Sequence, residues 1–236
     1  MSDHPTTSTA SVPVVVEEHG ADGTLLLRST MAGGVLHGPL EQFGPGGLPV
    51  MLAHFEGGKL HGAVTLYGDD GVMAQRSAFQ HGLAHGLIET FIHGRRVSAQ
   101  TMVEGVACGT SLSFDEAGLP TARLQMAAGQ LHGPAVFFHE GRQVRSAIYR
   151  SGLLEGEAID YDAEGQVVQR SAYRANLLHG AVRRYWPGGA LMEEQMYRDG
   201  VPLGAPTRFN AQGARLDNKA AAPALFERIQ RLLRGD

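Results

Sequence analysis

A glycine that recurs every 23 or 24 residues constrains this 236-residue chain more than any other feature. It occupies eight positions: Gly38, Gly62, Gly86, Gly109, Gly133, Gly156, Gly180 and Gly204. Five residues after each glycine comes an aromatic residue: Phe43, Tyr67, Phe91, Phe114, Phe138, Tyr161, Tyr185 and Phe209. Because aromatic residues make up only 7% of the chain, eight matches in eight units identify an internal repeat.

Each unit contains two further turn signals. A second glycine usually follows an acidic or polar residue, as in Asp70-Gly71, and a third glycine opens the next unit, as at Gly58. Asn176 replaces the third glycine once. These residue types tolerate the positive φ angles of tight turns. Each unit therefore predicts two strands joined by short turns, with no room for a helix.

We accordingly predict an all-β protein, an elongated antiparallel meander of about eight β-hairpin repeats over residues 13–216. Residues 1–12 are polar and predict a flexible tail. Residues 217–236 place Leu225, Phe226 and Ile229 at helical spacing, which predicts an α-helix that caps the last strand.

The repeat glycines and aromatics are assigned structural roles. The aromatic rings are predicted to form a ladder that serves as the core, with space provided by the glycines. Tyr161→Ala should then cost about 3–5 kcal/mol of folding free energy, as for other buried aromatics.

Composition excludes several functional classes. A net charge of −4 argues against nucleic-acid binding and against charge-driven membrane binding. The single cysteine, Cys108, excludes an internal disulfide framework and is typical of a reducing compartment. Neither a bilayer-spanning apolar run nor a secretory signal is present in the sequence. We therefore predict a cytoplasmic protein.

The histidines do not predict a metal site. Five of them share one repeat position: His37, His61, His85, His132 and His179. Equivalent positions in adjacent repeats lie about 10 Å apart, whereas zinc donors lie about 2.0–2.1 Å from their ion. We predict instead that these histidines hydrogen-bond the neighbouring repeat. No nucleophile or phosphate-binding motif is present, so we predict neither catalysis nor a cofactor.

Arginines vary between repeats in a regular way. Arg76, Arg123 and Arg170 each follow the turn glycine by five residues in every second repeat. Residues 1–139 carry 6 basic and 12 acidic side chains, whereas residues 140–236 carry 14 and 12. Because complementary charge steers protein association, we predict these three arginines and Arg183 as partner contacts. Ordinary solvated strand faces are the alternative.

The unit Gly58-Lys59-Leu60-His61-Gly62, followed by Tyr67 and Gly71, resembles the MORN repeat. It is most similar to the bacterial variant in YwqK-like antitoxins, over roughly residues 20–215. The chain departs from that pattern at Cys108, Glu155 and Leu203, which replace the motif's histidine. The resemblance implies a twisted all-β sheet. Bacterial members are often antitoxins or immunity proteins, while eukaryotic members are scaffolds, some of them proposed to bind phospholipids.

The resemblance implies a non-catalytic protein that neutralises a cognate toxin by covering its active site. The toxin would be, for example, an effector of a type VI or other secretion system. The alternative is a membrane-associated scaffold that binds phospholipid headgroups. A third hypothesis, a glycan-acting enzyme, requires two carboxylates about 5–10 Å apart in a cleft, which no spacing in the sequence promises.

Overall fold

The computed structural model describes residues 11–216. Within that range the regular structure is β-strand, apart from one 3-10 turn at Pro45–Gly47. The predicted C-terminal helix and residues 1–10 of the predicted tail lie outside the described residues. No helix in the described range is long and apolar enough to cross a membrane.

The chain divides into two compact units at Leu131 and His132. Unit 1 contains the strands β1 (Val14–His19), β2 (Leu25–Ala32), β3 (Val35–Phe43), β4 (Pro49–Glu56), β5 (Lys59–Leu60), β6 (Gly62–Tyr67), β7 (Met73–Gln80), β8 (Leu83–Ala84), β9 (Gly86–Ile92), β10 (Arg95–Val103), β11 (Val106–Phe114) and β12 (Pro120–Ala127). Unit 2 contains most of β13 (Gln130–His139), and β14 (Arg142–Arg150), β15 (Leu153–Leu154), β16 (Gly156–Tyr161), β17 (Val167–Arg174), β18 (Leu177–Tyr185), β19 (Leu191–Arg198), β20 (Val201–Pro202), β21 (Thr207–Phe209) and β22 (Arg215–Leu216).

Strands that follow one another in the chain pair antiparallel within each unit, which confirms the predicted all-β hairpin repeats. The hairpins share one register. In β6 and β7, the repeat glycine Gly62 lies opposite Phe79, and Val64 lies opposite Ser77. In β16 and β17, Gly156 lies opposite Tyr173 in the same way. The glycine of each repeat is thus paired with the large apolar residue of the second strand.

All three predicted turn positions have positive φ in every repeat. At the repeat glycines φ lies between 74° and 120°. At the position that opens each unit, the residue before it also has positive φ, as at His81 and Gly82. Two consecutive positive φ angles define the type I′ turn, whose twist matches that of the flanking strands. Asn176, at φ 69°, takes this conformation where the sequence lacks glycine.

Most of the type I′ turns are bonded to the preceding repeat. The Gly58 N–H donates to Leu36 O at 2.8 Å, and the Gly82 N–H donates to Leu60 O at 2.8 Å. The same bond joins Gly200 to Leu178 in unit 2. Successive hairpins are therefore held together at their turns as well as along their strands.

Strand alternation assigns the side chains to two faces of the sheet. Residues two apart on a strand share a face, and so do directly opposed residues. Tyr161 therefore shares a face with Ile159 and with Ser146, and its hydroxyl lies 3.3 Å from Ser146 Oγ. In each unit we call this side, which carries the repeat aromatics of that unit, the aromatic face. Large residues of the second strands, such as Tyr149 and Tyr173, lie on the opposite face.

The deepest positions are occupied by small residues rather than by the aromatic ladder. Ala158 and Ser171, which oppose each other, are 0% and 1% exposed, whereas the repeat aromatics are half-buried. Among the described residues, strands pack against their ladder neighbours and no second layer covers either face. Ala158 lies on the face opposite Tyr161, where Tyr149 and Tyr173 pack against it. The buried cluster of unit 2 is therefore on the other face from the repeat aromatics, which corrects the prediction that their ladder forms the core.

Gly180→Ala and Gly156→Ala should differ in cost. Both glycines occupy the repeat position and have positive φ, 107° and 86°. A Cβ on Gly180 would lie 3.1 Å from Ala172 Cβ, whereas one on Gly156 meets nothing within 4 Å. We expect the left-handed backbone to cost about 1–2 kcal/mol in both variants. The contact with Ala172 should raise that cost further in Gly180→Ala. Urea unfolding of both variants provides the measurement, and equal midpoints would contradict the steric argument.

Tyr161→Ala should cost about 2 kcal/mol rather than 3–5, because only part of the ring is removed from water. Tyr161→Phe is the matched control. It keeps the ring and removes the hydroxyl that contacts Ser146, so it should cost about 0.5–1 kcal/mol. Chemical denaturation measures both. If Tyr161→Ala lowers the free energy of unfolding by more than about 4 kcal/mol, the ring is part of the core after all.

Candidate functional site

The predicted partner-binding arginines all lie on the aromatic face. Arg123 on β12 is opposite Leu112, which shares that face with Phe114. Arg170 on β17 is opposite Ile159 and Arg183, beside Tyr161 and Tyr185. In unit 1, Arg76 on β7 is opposite Thr65 and Glu89, on the face that carries Tyr67. Each predicted arginine therefore lies near a repeat aromatic.

The four arginines differ in their own contacts. Arg170 forms an ion pair with Glu157 at 2.7 Å, and Arg183 Nε donates to Glu194 at 2.7 Å. Arg76 is exposed, and its guanidinium forms no ion pair or hydrogen bond with another described residue. Its charge is therefore less compensated by the described residues than the charges of Arg170 and Arg183.

Arg96 is a residue of this face that the sequence did not single out. Its guanidinium lies 4.8 Å from the centre of the Phe114 ring and forms an ion pair with Glu89 at 2.8 Å. Cation–π contacts of this kind are typical of arginine beside aromatic rings. Hairpin register could have identified Arg96 from the sequence, because this residue lies opposite the repeat aromatic Phe91.

The opposite face of unit 2 carries a second charged feature, which sequence reasoning missed. Directly opposed residues of six successive paired strands form one row, which we call the charged row: Arg145, Asp160, Gln169, Arg184, Glu193 and Arg208. Arg145 Nη1 donates to Asp160 at 2.9 Å. Glu193 accepts from Arg208 Nε at 3.0 Å and from Arg184 Nη1 at 3.4 Å. The side chains of Arg183 and Arg184, which are adjacent in sequence, thus lie on opposite faces of the sheet.

From β2 to β12, the corresponding row of unit 1 carries no charge, although it ends at Glu18 on β1, opposite Leu27. Its members are Leu27, Gln42, Met51, Leu66, Gln75, Thr90, Ser98, Ser113 and Ala122. The two units therefore differ in the charged side chains that this row brings together. A sequence signal was present, because the Arg183-Arg184 and Glu193-Glu194 pairs flank one turn and are brought into register by it.

Three of the five repeat histidines bond the neighbouring repeat, which confirms the structural interpretation for them. The N–H groups of Gly57 and Ser151 lie 3.3 Å from Nδ1 of His37 and His132, respectively. The Asp199 N–H lies 3.4 Å from His179 Nδ1. These acceptors satisfy the first N–H of these three type I′ turns.

Glu155 replaces histidine at this position without loss of the bond. Its Oε2 accepts from the Ala175 N–H at 3.0 Å. The departure from the repeat pattern therefore changes the acceptor and keeps the contact between repeats.

One pair of histidines approaches closely in unit 1. The rings of His61 and His81 lie 5.4 Å apart, edge to face. His61 Nδ1 lies 3.2 Å from Glu56 Oε2, but the angles are not those of a hydrogen bond. No set of three or more potential ligands in the described part of the chain is arranged to hold a metal ion.

Local hydrogen bonds shift three surface pKa values. The Thr24 N–H holds the pKa of Asp22 below its ordinary value of 3.8. A hydrogen bond from the Arg174 guanidinium lowers the pKa of Asp199. The Glu17 carboxylate raises the pKa of Arg28. Each shift has its cause in a turn or a cross-strand pair, and none of these groups lies in a cleft.

Shallow recesses lie between neighbouring turns. Arg95 and Glu116 line one in unit 1, and Arg142 and Tyr161 line one in unit 2. Arg95 donates to Glu116 O at 2.8 Å, and Arg142 donates to Ala163 O at 3.3 Å. Both arginines follow the shorter two-residue turns, and each reaches the next turn.

Comparison with known proteins adds no family. No protein-family model matches the chain, and no curated protein matches it significantly.

Glu155→Ala should loosen the turn at Ala175, because it removes the acceptor for that N–H. We expect faster hydrogen exchange at the Ala175 amide and a stability loss of about 0.5–1.5 kcal/mol. Glu155→Gln keeps an acceptor oxygen and should retain most of the protection. Amide exchange followed by NMR measures both variants. Equal protection in Glu155→Ala and the unchanged chain would show that the contact does not hold the turn.

Proposed function

We propose that this chain is a non-catalytic protein-binding repeat protein that acts as an immunity protein or antitoxin against a bacterial toxin. The observation that carries the proposal is the aromatic face of each unit, where Arg76 and Arg123 in unit 1, and Arg170 and Arg183 in unit 2, lie beside partly exposed rings. Arginine and aromatic residues are the types most enriched at the energetic centres of protein interfaces.

The architecture of this face supports protein rather than small-molecule binding. Small ligands require an enclosed pocket, and the recesses between neighbouring turns are open and shallow. A paired strand surface with arginines at repeat intervals instead offers a broad area of contact. Partly compensated arginines, such as Arg183 against Glu194, are already held in one geometry, so less side-chain freedom is lost on binding.

The toxin as partner is proposed from the resemblance to bacterial MORN-type antitoxins. Occlusion is the proposed mechanism: the face covers the active site of the toxin or its substrate entrance. Acidic groups around that entrance would complement the arginines and accelerate encounter.

Arg183→Gln should weaken partner binding at least about tenfold, as expected for loss of an interface arginine. Arg184→Gln is its matched control, because the neighbouring side chain points to the opposite face and pairs with Glu193. Arg76→Gln should also weaken binding with little effect on stability, because Arg76 has no ionic partner among the described residues.

The experiment begins with a tagged pull-down from the native cells and mass spectrometry of the bound material. The recovered partner is then produced alone and together with each variant. We expect to recover one protein in stoichiometric amount that is toxic when it is produced alone. The unchanged chain and the Arg184→Gln variant should neutralise this protein, whereas the Arg183→Gln variant should not. A partner that is not toxic contradicts the immunity role. If Arg183→Gln and Arg184→Gln weaken partner binding equally, the aromatic face is not the binding site. Phospholipid without a protein partner would favour the headgroup-binding scaffold.

A further inference from the structure

The strand β1 has a partner along one side only among the described residues. It pairs with β2 through residues 14–19, and all six of its side chains are exposed. Val14 and Val15 are each 59% exposed and Val16 is 42% exposed. A sheet edge of this length leaves a row of unpaired backbone groups that can accept another strand. The last described strand, β22, has only two residues.

We propose that β1 pairs with β1 of a second copy of this chain, antiparallel about a two-fold axis at Val16. This inference goes beyond the proposed function and does not depend on the identity of any toxin.

The hydrogen bonds of the neighbouring turn show which groups of β1 are available. The Gly20 N–H donates to Thr24 O at 2.8 Å, on the side of β2. Because backbone groups alternate sides along an extended strand, Val14, Val16 and Glu18 direct theirs toward β2. Val15, Glu17 and His19 therefore direct their N–H and C=O groups outward. Only registers that oppose outward residues can form a ladder.

The residues that flank the valines select one two-fold register. A ladder centred on Val15 would place Pro13, which has no N–H, opposite the outward-directed Glu17. A ladder centred on Glu17 would oppose two glutamates, which is destabilising. The register centred on Val16 pairs each Val15 with Glu17 of the other copy, and it pairs Val16 with Val16 of the other copy. In that register no two like charges are directly opposed.

Charged side chains near β1 affect how strongly two copies of the chain associate. Arg28 holds Glu17 at 2.9 Å and Glu41 at 3.2 Å, which partly neutralises the carboxylate closest to the axis. Residues 11–131 nevertheless carry 11 acidic and 6 basic side chains, so two copies repel at longer range. Salt screens that repulsion, and the dimer should strengthen as ionic strength rises. A basic strand of another protein at this edge would show the reverse dependence.

The contact is small, so the dimer should be weak. Stable interfaces bury about 1,200–2,000 Å², more than a six-residue strand pair supplies. We expect dimerisation to depend on concentration, with monomer prevailing in dilute solution.

Sedimentation velocity of the full chain, over a hundredfold range of concentration and at two ionic strengths, tests the proposal. Val15→Pro removes an outward N–H and leaves the β1–β2 bonds intact, so it should raise the dissociation constant at least about tenfold. Val12→Pro, two residues before the strand, is the matched control and should dimerise like the unchanged chain.

A charge exchange at the axis tests the register. Val16→Lys and Val16→Glu each oppose two like charges and should be monomeric alone. A mixture of the two should dimerise, because the charges are then opposite. Monomer at all concentrations in the unchanged chain overturns the proposal. A dimer that survives Val15→Pro, or one that weakens as salt is added, also overturns it.

Discussion

The hydrogen bonds between most of the type I′ turns and the preceding repeat are the contacts on which the rest of the structure depends. A single-layer sheet buries little apolar surface, so its hairpins cannot be held by packing against another layer. The turn N–H of Gly58 bonded to Leu36 O, and the neighbouring N–H bonded to His37, fix one hairpin on the previous one. The two consecutive positive φ angles of the turn direct both N–H groups toward that repeat. This geometry explains why glycine, and in one repeat asparagine, occupies the second position of these turns.

The same constraint determines what the two faces can carry. In unit 2, small side chains such as Ala158 occupy the covered positions on the face opposite the repeat aromatics, where Tyr149 and Tyr173 pack against them. The repeat aromatics on the other face keep part of their surface in water and remain available to a partner. Charged side chains are accommodated because cross-strand neighbours pair them, as Glu193 does with Arg184 and Arg208. Such exposed pairs contribute little stability individually, so their value lies more in fixing the geometry of the surface.

Much of the fold followed from the sequence, and less of the candidate site did. The repeat period, the hairpins and the turn positions were predicted correctly because each depends on local φ preferences and strand alternation. Histidine as a turn acceptor was also predicted, although Glu155 in the same role was not. The aromatic core was wrong, because periodicity places a ring on a face but does not show whether another layer covers that face. The charged row was missed because its members are close only through the pairing of six strands.

The sequence by itself determined the repeat, the hairpin register and the face of every side chain, since turn length and alternation are local properties. Arg183 and Arg184 serve opposite faces for that reason alone. Only the tertiary structure decided which charges meet, which rings stay half-exposed and which edge remains unpaired. Those outcomes depend on how successive hairpins pair. The hydrogen bond of Arg145 with Asp160, for example, joins residues 15 apart on strands of different hairpins, a pairing that no local turn preference sets.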